Sequence, residues 1–275
     1  LDVTLCNPYT LSFLMNAPTL HSPFSQLQLD HHALGAQIAH AGSPELGELF
    51  YVTPTPAAGQ PLRGGVPLLF PQFNDRGPLK KHGFVRGLPW TLQTQVGTAD
   101  LATACYGLQL TEPTWPHHAQ LTFTATLTAS CLTLAIDVLN TGDAEFSFTG
   151  GLHPYFAVED LLQARLTGLQ GHAAQDRYAP DFSIDSAPQL NWTGEAFERL
   201  YAGGQPLELH TPQRSLRLSS TGFTQWMVWN PGAEGARDLA DLPDADWQRF
   251  VCVEPVIVDR PVALAPGQSF TGTFT

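Results

Sequence analysis

Glycine and proline punctuate this chain so densely, with 24 and 23 residues among 275, that few stretches are long enough to hold a helix of several turns. Between the breakers lie short segments with a period of two: 121–127 (LTFTATL), 131–140 (CLTLAIDVLN), 145–150 (EFSFTG), 214–220 (RSLRLSS), 225–230 (QWMVWN) and 249–255 (RFVCVEP). Alternation with Val, Leu, Phe, Thr and Trp on one side reads as half-buried β-strands. The link 128–130 (TAS) joins the first two as a hairpin, and NTGDAE leads to a third, so the spacing predicts an antiparallel meander. The one helical pattern, 234–248 (EGARDLADLPDADWQ), is interrupted by Pro243. The expectation is an all-β sandwich of large antiparallel sheets, one domain over 1–275, with a few short helices.

Apolar residues make up 43% of the chain, which supports a full core, and charged residues only 14%. The formal net charge of −12 disfavours nonspecific attraction to nucleic acid or anionic membranes, so an anionic ligand must meet a local basic cluster. No apolar run approaches the ~20 residues that span a bilayer. The first 18 residues lack the basic start of a signal peptide. Cys6, Cys105, Cys131 and Cys252 form no CxxC pair, which argues against a zinc ribbon or a disulfide framework and fits a reduced cytoplasmic protein.

That basic cluster is found at 62–90, LRGGVPLLFPQFNDRGPLKKHGFVRGLPW, which holds five of the 13 Lys and Arg residues. Arg63 and Arg86 are candidate bidentate donors to a phosphate or carboxylate, and Gly64, Gly65, Gly83 and Gly87 leave room for a ligand to approach the backbone. The same charge pattern equally describes a solvated basic loop, and spacing alone does not separate the two. His153 lies in 150–160 (GGLHPYFAVED), where a lone histidine is more often a turn residue than a catalyst. Glu254, near the end of a strongly apolar strand, either pairs with an arginine or serves as a base at a cleft. The pairs His31–His32 and His117–His118 have no metal-site spacing and read as exposed loop histidines; no metal and no cofactor are expected.

Five stretches in this order, LRGGVPLLFPQF, KHGFVRGLPW, TGGLHPYF, TGEAFERLY and FVCVEP, resemble the hexose-6-phosphate mutarotases (glucose-6-phosphate 1-epimerases) of the aldose 1-epimerase group. The resemblance runs from about residue 25 to the C-terminus, and RGGVP followed by HGFVR is its most diagnostic part. It implies a galactose-mutarotase-like β-sandwich, His153 as general acid and Glu254 as general base. It also implies Arg63, Lys81, His82 and Arg86 around a sugar phosphate. Glu198 of FERLY stands where the family often has Asp, and QDR at 175–177 resembles a family xDK segment, which makes Glu198 and Asp176 further sugar-binding candidates.

Anomer interconversion needs a proton taken from the C1 hydroxyl, a proton given to the ring oxygen, C1–O5 cleavage, rotation about C1–C2 and closure. One acid and one base suffice, and the expected division has protonated His153 as donor and Glu254 as acceptor. The expected partner is a small-molecule hexose phosphate, met by a monomer. Two alternatives stay open, a neutral-aldose mutarotase and a noncatalytic carbohydrate-binding module. A glycoside hydrolase, which uses two carboxylates, fits less well.

Overall fold

The computed structural model describes residues 19–21, 26–56, 61–179 and 181–275, and the N-terminal segment with Cys6 lies outside them. Its strands form antiparallel sheets of four, eight, four and six strands, the all-β sandwich expected from the sequence. No helix among the described residues is long and apolar enough to cross a membrane. Cys105, Cys131 and Cys252 are free thiols.

The six-stranded sheet contains the meander, in strands Thr91–Gly97, Ala102–Glu112, Trp115–Leu127 and Leu132–Asn140. Alternation works there as the sequence suggests: Leu121, Phe123, Ala125 and Leu127 are buried, and the threonines between them are half-buried. Hydrophobic burial on that single face is the main force holding the sheet to the core. The third predicted strand departs from the meander. Phe146–Leu152 pairs with Phe250–Leu264 in the eight-stranded sheet instead. The Asn140 amide donates to the carbonyls of Ala144 and Leu264, so the chain turns at this corner toward the other sheet.

Phe250–Leu264 is the strand that positions the site. Its first nine residues are all buried, as expected of a strand covered on both faces. Glu254 therefore lies within a 15-residue strand and not at its end. Gly151 pairs with Val256 and Tyr155 with Cys252, and the intervening His153 falls directly opposite Glu254. On the other side of the strand, Met227 pairs with Glu254 and Trp229 with Cys252, and Glu198 in turn pairs with Trp229. Side chains alternate along a strand, so these positions share one face and line up in two rows, His153–Glu254–Met227 and Tyr155–Cys252–Trp229–Glu198.

The RGGVP segment is threaded between backbones. Gly65 donates to the Tyr51 carbonyl and Tyr155 donates to the Gly65 carbonyl, at 2.8 and 2.9 Å. With φ of +59°, Gly65 would place a Cβ 2.1 Å from the Ile38 oxygen, and Gly83, with φ of +71°, would place one 1.9 Å from the Phe70 oxygen. A Cβ at Gly151 would lie 2.3 Å from the Pro255 oxygen. Neighbouring backbone, not a ligand, is what these glycines admit.

Candidate active site

All residues of the two rows except the fully buried Cys252 line a cavity of about 580 Å3, a size suited to a small ligand. His153, Glu254, Arg63, Lys81, His82, Arg86 and Glu198 all border it. Asp176 does not. It pairs with Arg199 across the strands, and alternation turns both away from the face that carries Glu198 and Arg177. The Asp176 carboxylate accepts from Arg199 at 2.8 and 3.1 Å and from the Tyr178 amide, bonds that lower its pKa despite partial desolvation.

His153 Nε2 lies 3.4 Å from Glu254 Oε1. Both residues are buried, 8% and 1% exposed. The imidazole stacks on Tyr155, with centroids 4.8 Å apart and planes 12° from parallel, and meets the edges of His82 and Trp229. Burial is the largest influence on each: it holds His153 well below its ordinary pKa, helped by His82 and Arg86, and pushes Glu254 well above, helped by Glu198. Burial thus pushes the pair toward a neutral imidazole beside a carboxylic acid. This form carries the same single proton as the expected imidazolium–carboxylate form, and the proton belongs to the pair.

His82 is also kept neutral, its pKa lowered to about 3 by burial and by the nearby Arg86 and Lys81. Its Nδ1 accepts from the Asn74 amide, so the proton sits on Nε2 and the ring is a neutral donor.

The arginines differ in their partners. Arg63 Nε donates to Asp241 Oδ1 at 2.8 Å, while Gln37 donates to the carbonyls of Leu62 and Gly64 and clamps the chain on both sides of it. Arg177 donates to both oxygens of Glu198. Arg86, in the 3-10 turn Val85–Gly87, donates to the Lys81 carbonyl and, like Lys81, forms no ion pair among the described residues. Two cations at the rim therefore remain available to an anion.

Against known families, the sequence model described as Aldose 1-epimerase matches residues 23–275. The chain belongs to the aldose 1-epimerase family. Among curated relatives, a protein of Escherichia coli K12 named "Putative glucose-6-phosphate 1-epimerase" is 30% identical over 208 residues, covering 71% of this chain and 67% of that one. One of the same name from Cenchrus ciliaris is 28% identical over 225 residues, covering 77% and 68%. A crystal structure described as a putative mutarotase from Salmonella typhimurium superposes with a TM-score of 0.81 at 24% identity, over 93% of this chain and 88% of that one.

Several residues at this aldose 1-epimerase cavity escape motif reading. Tyr155 had a signal, since it follows His153 by two positions and such residues share a face. Trp229 and Asn74 had none. Asp241 belongs to the acidic segment 234–248, which forms the short helix Gly232–Arg237 and the 3-10 turn Asp246–Arg249. That segment is held to the sheet by Asn230, whose amide donates to the carbonyls of Trp247 and Phe250. Of the four histidines read as exposed and in loops, His31 is buried at the end of a strand with Nδ1 2.6 Å from Tyr106 Oη, His32 follows it outside the strand and is half-buried, and His117 and His118 lie in the strand Trp115–Leu127, where His118 is exposed.

Asp241 positions Arg63 without lining the cavity. Replacement by Asn keeps the shape and removes the charge-assisted bond, worth about 1.5–3 kcal/mol. Asp241→Asn is expected to raise KM for a sugar phosphate roughly tenfold and to leave kcat within about threefold, measured by steady-state anomerisation kinetics. A fall in kcat with KM unchanged would place Asp241 in the chemical step.

Proposed function

We propose that this chain is a single-domain hexose-6-phosphate mutarotase, interconverting the α and β anomers of a substrate such as glucose 6-phosphate. In this reading Arg86, Lys81 and Arg63 hold the phosphate, and His82 and Glu198 bond sugar hydroxyls. His153 and Glu254 exchange protons with the ring oxygen and the C1 hydroxyl. The observation that carries it is the buried His153–Glu254 pair on the floor of a cavity whose rim holds two cations without carboxylate partners. The free thiols suit a reducing compartment such as the cytoplasm.

The cations also act on the pair. The fields of Arg86 and Arg63 both help to hold His153 below its ordinary pKa. A bound phosphate dianion offsets those fields, which raises the proton affinity of the imidazole. The proton on Glu254 then shifts to His153, giving the imidazolium donor and carboxylate acceptor that ring opening uses. Phosphate binding thus contributes to the chemistry as well as to affinity.

Optical rotation or NMR exchange, started from a single anomer, tests the reading. Glucose 6-phosphate should equilibrate much faster than the uncatalysed rate and with a higher kcat/KM than glucose. A preference for glucose would instead make the chain a neutral-aldose mutarotase. Binding without acceleration would make it a carbohydrate-binding module.

A further inference from the structure

We propose that Cys252, buried beneath the cavity, and His153 and Glu254, which line it, form a binding site for a borderline-soft divalent cation such as Zn2+, and that its occupation blocks the cavity. One ligand-capable atom from each residue lies within 4.8 Å of the other two. Cys252 and Glu254 stand two positions apart on one strand and share a face, with His153 opposite Glu254. All three are more than nine-tenths buried, yet His153 Nδ1 and Glu254 Oε2 have no hydrogen-bond partner.

The spacing fits a tetrahedral ion better than a hydrogen bond. The 3.4 Å between His153 Nε2 and Glu254 Oε1 exceeds the about 2.7–3.2 Å of a formed N–H···O bond. It equals the chord of about 3.4 Å separating nitrogen and oxygen ligands held about 2.0–2.2 Å from zinc. The chord to sulfur is about 3.6 Å, so Cys252 has roughly 1 Å to close, within the reach of a χ1 adjustment. On binding, the Cys252 thiol proton and the proton of the His153–Glu254 pair pass to solvent as the metal bonds form. The fourth position faces the cavity and takes water. Thiolate, imidazole and carboxylate together select zinc-like ions over Mg2+ or Ca2+.

Binding does not depend on the reaction proposed above; only the inhibition does, because the ion takes both groups assigned to proton transfer. The test is a Co2+ titration of the purified full chain, followed by Zn2+ competition. A thiolate-to-cobalt charge-transfer band should appear and be displaced by stoichiometric Zn2+. It should vanish in Cys252→Ser and weaken by about tenfold or more in affinity in His153→Ala and Glu254→Gln, since even outer-shell partners cost that much. Absence of the band in the wild-type chain overturns the proposal. So does its survival in Cys252→Ser, which would assign it to another cysteine. Should Cys252→Ser fail to fold, the other two titrations decide, and unchanged affinity in both overturns it. In the anomerisation assay, micromolar Zn2+ should inhibit the wild-type chain reversibly on chelation. Cys252→Ser should need about tenfold more zinc for the same fractional inhibition of its own zinc-free rate. Inactivity of the zinc-free wild-type chain would count against the mutarotase reading alone, because the cobalt band is read without turnover.

Discussion

Replacing His153 with alanine is expected to slow anomerisation of glucose 6-phosphate by about 10²- to 10⁴-fold, the usual contribution of one proton-transfer group, while the protein stays folded. The lost ring stacks on Tyr155, its Nδ1 has no hydrogen-bond partner and its Nε2 lies 3.4 Å from Glu254, so the melting temperature should fall by only a few degrees. Glu254→Gln should lose activity to a similar extent but respond to pH in the opposite sense to an ordinary carboxylate. Glu254 holds its proton more tightly folded than unfolded. At Glu254 the folded state therefore binds more protons between the ordinary value near 4.5 and the raised one, and the stability contributed by this carboxyl falls as pH rises through that window, offset in the wild type by His153 up to its own ordinary value of 6.5. Glutamine removes that dependence, so the melting temperature of Glu254→Gln should gain on the wild type as pH rises. Parallel melting curves across that window, or full activity in a folded His153→Ala protein, would refute the assignment.

How much of this was visible in the sequence depends on which interactions are local. Alternation identified the strands at 121–127 and 131–140, because which side of a strand is buried is written in consecutive residues. It did not identify partners. Residues 145–150 alternate as well as their neighbours, but they pair with Phe250–Leu264 because Asn140 ties the corner to Leu264, a contact across 124 positions. The motif residues His153, Glu254, Arg63, Lys81, His82, Arg86 and Glu198 converge on one cavity. What motif reading lacked was register. Register sets His153 opposite Glu254, and it turns Asp176 to the far face with Arg199 while Arg177 stays with Glu198. The glycines of RGGVP looked like space for a ligand, yet their missing Cβ atoms make way for the backbones of Tyr51 and Ile38. The direction in which each pKa moves was hidden for a related reason. A sequence does not state burial, and burial outweighs the ordinary acidities of both groups.

Arg86→Ala is expected to separate the two roles assigned to that side chain. Loss of a charge-assisted contact worth about 1.5–3 kcal/mol should lower kcat/KM for glucose 6-phosphate by about ten- to hundredfold, with glucose changed by less than about threefold. Arg63 and Lys81 remain, so binding should weaken without being abolished. The second role appears in the pH profile. Arg86 is one of the charges that hold His153 below its ordinary pKa, and removing it lets that value rise. The acid limb, where the pair takes up a second proton and loses its acceptor, should then move toward neutral pH, most visibly with glucose, which brings no phosphate to compensate. A purely structural role for Arg86 would depress both substrates alike and leave the limb in place. A purely phosphate-binding role would lower kcat/KM for the phosphorylated substrate and again leave the limb unmoved with glucose. Only a guanidinium that both holds the phosphate and acts on the imidazole moves substrate preference and acid limb together, so the two measurements on one variant decide whether phosphate recognition and proton transfer are coupled in this cavity.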